Sequence, residues 1–113
     1  MVNSRAKGAA GEREFAHELE RVLPGVEARR GVQHAGGPES PDVVHSLTGI
    51  HFEVKRTERL QLRKAIAQAE EDCGNRVPVV AHRWNNGRWY VILPFEDLPA
   101  VATNVYLTAA ENA

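Results

Sequence analysis

Two β-branched runs, IHFEVKR at residues 50–56 and VPVVAHRW at 77–84, are separated by ERLQLRKAIAQAEEDC at 58–73. That middle segment repeats its apolar residues at helical spacing. A strand–helix–strand order constrains the fold more than any other feature of the chain. Strands joined through a helix pair parallel, and a parallel pair must have its faces covered. Leu62, Ile66, Ala69 and Cys73 form the expected buried stripe of the helix, with Gly74 as its C-terminal cap. Before this unit, residues 4–23 read as a helix, with Ser4 as N-cap, Phe15, Ala16, Leu19, Val22 and Leu23 at helical spacing, and Pro24-Gly25 as the stop. VEARRGV at 26–32 reads as a strand, QHAGGPESP at 33–41 as a loop, and DVVHSL at 42–47 as a short strand turned back by Thr48-Gly49. After it, Asn86-Gly87 predicts a hairpin between 77–84 and 88–93. Residues 95–113 read as a short helical turn and a loosely held tail. The expected order is α-β-β-β-α-β-β: an α/β fold with a mixed central β-sheet flanked by helices.

With 113 residues, one domain is expected over 1–113, its core at about 5–93. Apolar residues at 42% and charged residues at 26% suit a globular protein, and no run approaches a membrane span. The charged N-terminus, MVNSRAKGAAGERE, does not read as a secretory signal. Cys73 is the single cysteine, so no internal disulfide and no thiolate zinc cluster can form; a reducing, cytoplasmic setting is expected. Net charge is −1, which does not mark a nucleic-acid binder by itself. The local distribution does more: Lys55, Arg56, Arg59, Arg63 and Lys64 stand against Glu58 alone over 55–64, and Arg29-Arg30 make a second cluster. Such patches either grip phosphates or simply solvate a face.

The charges inside the apolar strand are the chemical question. Residues two apart on a strand share a face, so Glu53 and Lys55 point together with His51 beside them, while Phe52 and Val54 turn to the core. In a hairpin over 42–56, Asp42 at the start of one strand falls near Glu53 and Lys55 at the end of the next. Glu12 precedes Phe15, Ala16, Leu19 and Leu23 by three, four, seven and eleven residues, on the apolar face of the first helix. A carboxylate placed there needs a partner or a metal, or serves the helix N-terminus. Carboxylates with a lysine are what a hard cation such as Mg²⁺ needs in phosphodiester hydrolysis: oxygen ligands, an activated water and neutralisation of the charged phosphate.

SPDVV followed by HFEVK resembles the signature of the PD-(D/E)XK nuclease superfamily. RAKGAAGEREFAHEL is similar to the opening helix of archaeal-type Holliday junction resolvases, and ARRGVQHAGG resembles the arginine- and glycine-containing segment before their catalytic Asp. The resemblance spans roughly residues 5–93. It implies a restriction-endonuclease-like core and a Mg²⁺-dependent endonuclease, with Mn²⁺ as a substitute. Branched DNA is the substrate it implies and a homodimer the active form, with no membrane and no small-molecule cofactor. Carried over by position, Asp42 and Glu53 match the metal ligands, Lys55 the catalytic lysine and Glu12 the helix-borne acid. Arg29 or Arg30 matches a phosphate-contacting arginine. Lys7, Arg56 and Arg59 join the expected DNA contacts, and Gln68 resembles a glutamine near the site of related nucleases. The long loop 33–41 and the mildly acidic net charge depart from the family, and a phage or mobile-element relative acting on flapped DNA also fits.

Two other readings stand beside this one. A nuclease of the same superfamily could cut flaps or duplex DNA. A non-catalytic DNA-binding module would carry the acids and lysine as a structural salt-bridge cluster. His51 is either a neighbour of the site or a satisfied strand histidine. Trp84, Trp89 and Tyr90 could stack on bases, although a hairpin position favours core packing or a subunit surface.

Overall fold

The computed structural model describes residues 4–31 and 42–111, with side chains from residue 8 onward. The expectations on loop 33–41 and on the Lys7 side chain lie outside the described residues. Helix α1 (Ser4–Val22) buries Phe15, Ala16 and Leu19 on one stripe, as their spacing predicts. It ends at Pro24 and Gly25, whose φ of 81° only glycine adopts without strain. Strands β1 (Ala28–Arg30) and β2 (Val43–His45) pair antiparallel, with Arg30 opposite Val43. Strand β3 (Ile50–Arg56) and β4 (Val77–Arg83) pair parallel through helix α2 (Leu62–Asp72), so the predicted crossover is present. Strand β5 (Tyr90–Ile92) returns antiparallel on β4 after the turn at Asn86-Gly87. Pro78, which has no N–H to donate, lies before β5 begins its pairing at Val80.

The α/β class stands. Two layers of core lie on opposite sides of the β3–β4–β5 sheet. Phe15, Leu19, Val43, Leu47, Ile50, Phe52 and Val79 pack on the α1 side. There the rings of Phe15 and Phe52 meet edge-on at 5.0 Å, and Trp89 joins Phe15 at 5.0 Å. Ala65, Ala69 and Val80 pack on the α2 side. Among the described residues no helix is long and apolar enough to cross a membrane.

Four details differ from the sequence expectation. The β-strands form a two-stranded and a three-stranded sheet rather than one continuous sheet, and β2 and β3 share no ladder among the described residues. Helix α2 starts at Leu62 instead of 58, because Glu58 turns aside to accept the Asn85 N–H at 2.7 Å. Its buried stripe runs through Ala65, Ala69 and Cys73, leaving Leu62 47% exposed. Small side chains let the helix approach the sheet closely, while Ile66 packs at the edge of the same cluster. Finally, the described residues 95–111 are not a loose tail. After a 3₁₀ turn (Phe95–Asp97), residues Leu98–Glu111 form helix α3, with Pro99 in its first turn. Val101 and Val105 rest on the α1-side core, and Thr48 Oγ1 lies 3.3 Å from Asn104 Oδ1.

Candidate active site

The period of β3 places His51, Glu53 and Lys55 on the face that α2 covers, and Phe52 and Val54 on the α1 side, as expected. Glu53 is 3% exposed, so its carboxylate is almost wholly withdrawn from water. It lies between two cationic or potentially cationic groups: His51 Nε2 is 3.5 Å from Oε1, and Lys55 Nζ is 3.6 Å from Oε2. Lys55 in turn donates to Gln68 Oε1 of α2 at 3.0 Å. That bond fixes the ammonium at the mouth of the site rather than leaving it to swing in solvent.

Asp42 enters from the other sheet. Its Oδ2 accepts the backbone N–H of Val54, the residue between Glu53 and Lys55, at 2.8 Å. Its own carbonyl accepts the Gly31 N–H at 2.9 Å, tying the start of β2 to the end of β1. Asp42 therefore arrives beside Glu53 and Lys55 through a side-chain hydrogen bond, without the ladder that the hairpin reading supposed. Glu12 sits at the edge of this assembly, its side chain 12% exposed and its Oε2 receiving Arg30 Nε at 2.8 Å. Arg30 is the partner of Val43 in the β1–β2 pair, one residue from Asp42.

The basic residues divide between two faces. Lys55, Arg59 and Lys64 line an open cleft of about 240 Å³ with Thr57, Gln61 and Gln68. Its wall is cationic, with hydrogen-bonding groups interspersed, which suits a phosphate backbone. Arg56 points the other way. Its side chain is 13% exposed, with Nε 3.4 Å from Glu14 Oε1, and Arg83 Nη1 meets the same oxygen at 2.6 Å. These two arginines clamp α1 to the ends of β3 and β4. Arg29 is exposed on β1, in a shallow cleft with Glu20, Glu27 and His45. Trp89 is a core residue, while Trp84 and Tyr90 stack at 5.3 Å and 12° on the exposed hairpin.

Sequence reasoning passed over Asp72. The ligand atoms of His51, Glu53 and Asp72 all lie within 4.8 Å of one another, a set that could hold a metal ion and that contains neither Asp42 nor Glu12. A signal for it was present in the acidic run Glu70-Glu71-Asp72 at a helix C-terminus, where carboxylates oppose the helix dipole. Comparison of the chain with protein-family models, curated proteins and solved structures finds no match to any of them.

Proposed function

We propose that the chain is a Mg²⁺-dependent, structure-selective DNA endonuclease. In this reading its core is restriction-endonuclease-like, and it resolves four-way junctions by paired phosphodiester hydrolysis as a cytoplasmic homodimer. The observation that supports the reading is the hydrogen bond from the Val54 N–H to the Asp42 carboxylate, which ties Asp42 to the backbone between Glu53 and Lys55, and Lys55 also lines a cationic cleft. The donor set fits a hard cation: carboxylate oxygens, with no thiolate among them. Asp42 and Glu53 would hold Mg²⁺, with Glu12 assisting directly or through water. When bound, the ion supplies an activated water and stabilises the charge that develops on the phosphodiester. Lys55, oriented by Gln68, faces the same charge as a fixed cation. Arg59 and Lys64 hold the backbone along the cleft, with Arg29 and Arg30 beyond Asp42. Backbone contacts read shape rather than sequence, which favours branched substrates.

Cleavage of flaps or duplex DNA by the same groups is the nearest rival. The burial of Glu53 favours a third reading, in which His51, Glu53 and Lys55 are a structural cluster of a DNA-binding module. One experiment separates them. Purified protein is incubated with labelled four-way, flapped and linear DNA, in Mg²⁺ and in EDTA, beside Asp42→Asn and Glu53→Gln. Paired symmetric nicks in the junction are expected. Each substitution should reduce them by roughly a hundredfold or more, the scale of losing a group that stabilises transition-state charge. Metal-dependent cutting confined to flaps or duplex would keep the chemistry and discard the substrate. A folded protein that binds the junction in Mg²⁺ without cutting any substrate would make it the binding module.

A further inference from the structure

The polar face of β3 continues past Glu53 to His51, which is 2% exposed. Among the described residues neither of its ring nitrogens has a hydrogen-bond partner. A buried polar group left without a hydrogen bond costs about 1–3 kcal/mol. A strand can usually avoid that cost by carrying an apolar residue, so a bare buried imidazole calls for a ligand. Its neighbours supply the rest of a coordination set. Glu53 Oε1 lies 3.5 Å from His51 Nε2 without forming a hydrogen bond to it. Asp72, half-buried at the end of α2, brings an oxygen within 4.8 Å of both.

The end of α2 carries the same message. Glu70, Glu71 and Asp72 close the helix, and no basic residue lies in its last turn. Carboxylates there face the negative end of the helix dipole, an unfavourable placement that a bound cation would reverse. Without a cation the cluster combines an unsatisfied imidazole, a buried carboxylate and a dipole-opposed acid.

We propose that His51, Glu53 and Asp72 form a binding site for a divalent transition-metal ion of the Zn²⁺ type, which shares Glu53 with the Mg²⁺ position beside Asp42 but draws its other ligands from His51 and Asp72. The donor chemistry selects the ion. Imidazole suits Zn²⁺ and its neighbours in the first row, whereas Mg²⁺ takes oxygen ligands. The spacing agrees as well. Zinc bonds of 2.0–2.1 Å in tetrahedral geometry put neighbouring ligand atoms about 3.3 Å apart. The His51–Glu53 separation of 3.5 Å is already close to that. Asp72 sits on the last turn of a helix, where a small adjustment of χ angles brings its oxygen in. Three protein ligands leave a fourth position for water. Glu53 is divided between two neighbours, Oε1 toward His51 and Oε2 toward Lys55. The site goes beyond the nuclease reading and does not depend on it.

The test uses no DNA and no Mg²⁺, so its failure and that of the nuclease reading are separable. The metal-stripped full chain is titrated with Zn²⁺ against a chromophoric chelator, and its thermal midpoint is followed in parallel. One equivalent should bind and raise the midpoint. Asp72→Asn and His51→Gln should each weaken binding by more than about tenfold, the lower end of what losing even an outer-shell partner does. Cys73→Ala and His17→Gln, which remove other donors, should bind as the parent does. Absence of Zn²⁺ binding overturns the proposal, as does binding that Asp72→Asn and His51→Gln leave intact. If His51→Gln does not fold, Asp72→Asn decides alone: its loss of binding supports the site and its retention removes it.

Discussion

His45 shows how one side chain sets a pH limit on the fold. Its ring packs edge-on against Phe52 at 4.9 Å, and its Nδ1 accepts the Leu47 N–H at 3.1 Å. Burial drives its pKa from 6.5 down to about 4, with Arg76 and His51 adding repulsion and a hydrogen bond to the Ile50 backbone opposing them. The folded protein therefore holds this histidine neutral at a pH where the unfolded chain protonates it. Above about pH 7 both states are neutral and the group has no effect on stability. Between about 6.5 and 4 the unfolded state binds the extra proton, so stability falls as pH falls, by roughly 2–3 kcal/mol across the window. Urea unfolding of the parent and His45→Gln from pH 7 to 4 isolates the effect. Their difference should move in favour of the variant on acidification, and a pH-independent difference would refute the assignment.

At the scale of elements, the approach of α1 to β3 is set by a glycine. A Cβ built on Gly11 would stand 2.6 Å from Arg56 Cβ and 3.2 Å from its Cγ. These atoms lie at the root of a side chain anchored to Glu14, so they cannot swing clear. Alanine would gain about 1 kcal/mol in helix propensity, against an overpacking cost of about 1–3 kcal/mol. Gly11→Ala should be destabilised by about 1 kcal/mol net, read as a lower chemical-denaturation midpoint with an unchanged m-value. No periodicity marks Gly11, because the contact depends on where β3 lies. The same distinction separates what the residues revealed from what they did not. The crossover was legible, since β-branched runs around a helical stretch admit few other solutions. The common face of His51, Glu53 and Lys55 was legible from strand period alone. Most of the α2 stripe was legible too, with Ala69 and Cys73 buried and Ile66 packed on the core, but close packing put Ala65 on that face and left Leu62 exposed. Helix α3 was missed for another reason: its apolar residues mark no single face, and only Val101 and Val105 are packed against the core, while Tyr106 remains 72% exposed. The sequence left His51 between a neighbour of the site and a satisfied histidine, because satisfaction depends on neighbours that sequence does not order in space.

Across the whole molecule a net charge of −1 conceals a sorting of cations by task. Arg30, Arg56 and Arg83 are held by Glu12 and Glu14, where they join elements. Lys55, Arg59 and Lys64 share the open cleft. If three such cations meet DNA phosphates, the logarithm of affinity should fall with the logarithm of salt at a slope of about −2.7. Lys64→Ala should make that slope shallower by about 1 and weaken binding alike on all sequences. Fluorescence anisotropy of a labelled junction over a salt series measures both, and an unchanged slope would take the cleft off the DNA path. The hydrogen bond from Val54 to Asp42 has a further consequence, for inheritance. It crosses from one sheet to the other, so Asp42 is a seam as well as a candidate ligand. Asparagine can still accept that N–H, whereas alanine opens the seam. Lys55, part-exposed at the rim, meets only side chains, Glu53 and Gln68, and joins no backbone across the sheets. In a lineage that gave up cutting DNA, drift would erase the lysine first and leave an acid or amide at position 42, a fossil kept by the architecture after its chemistry had gone.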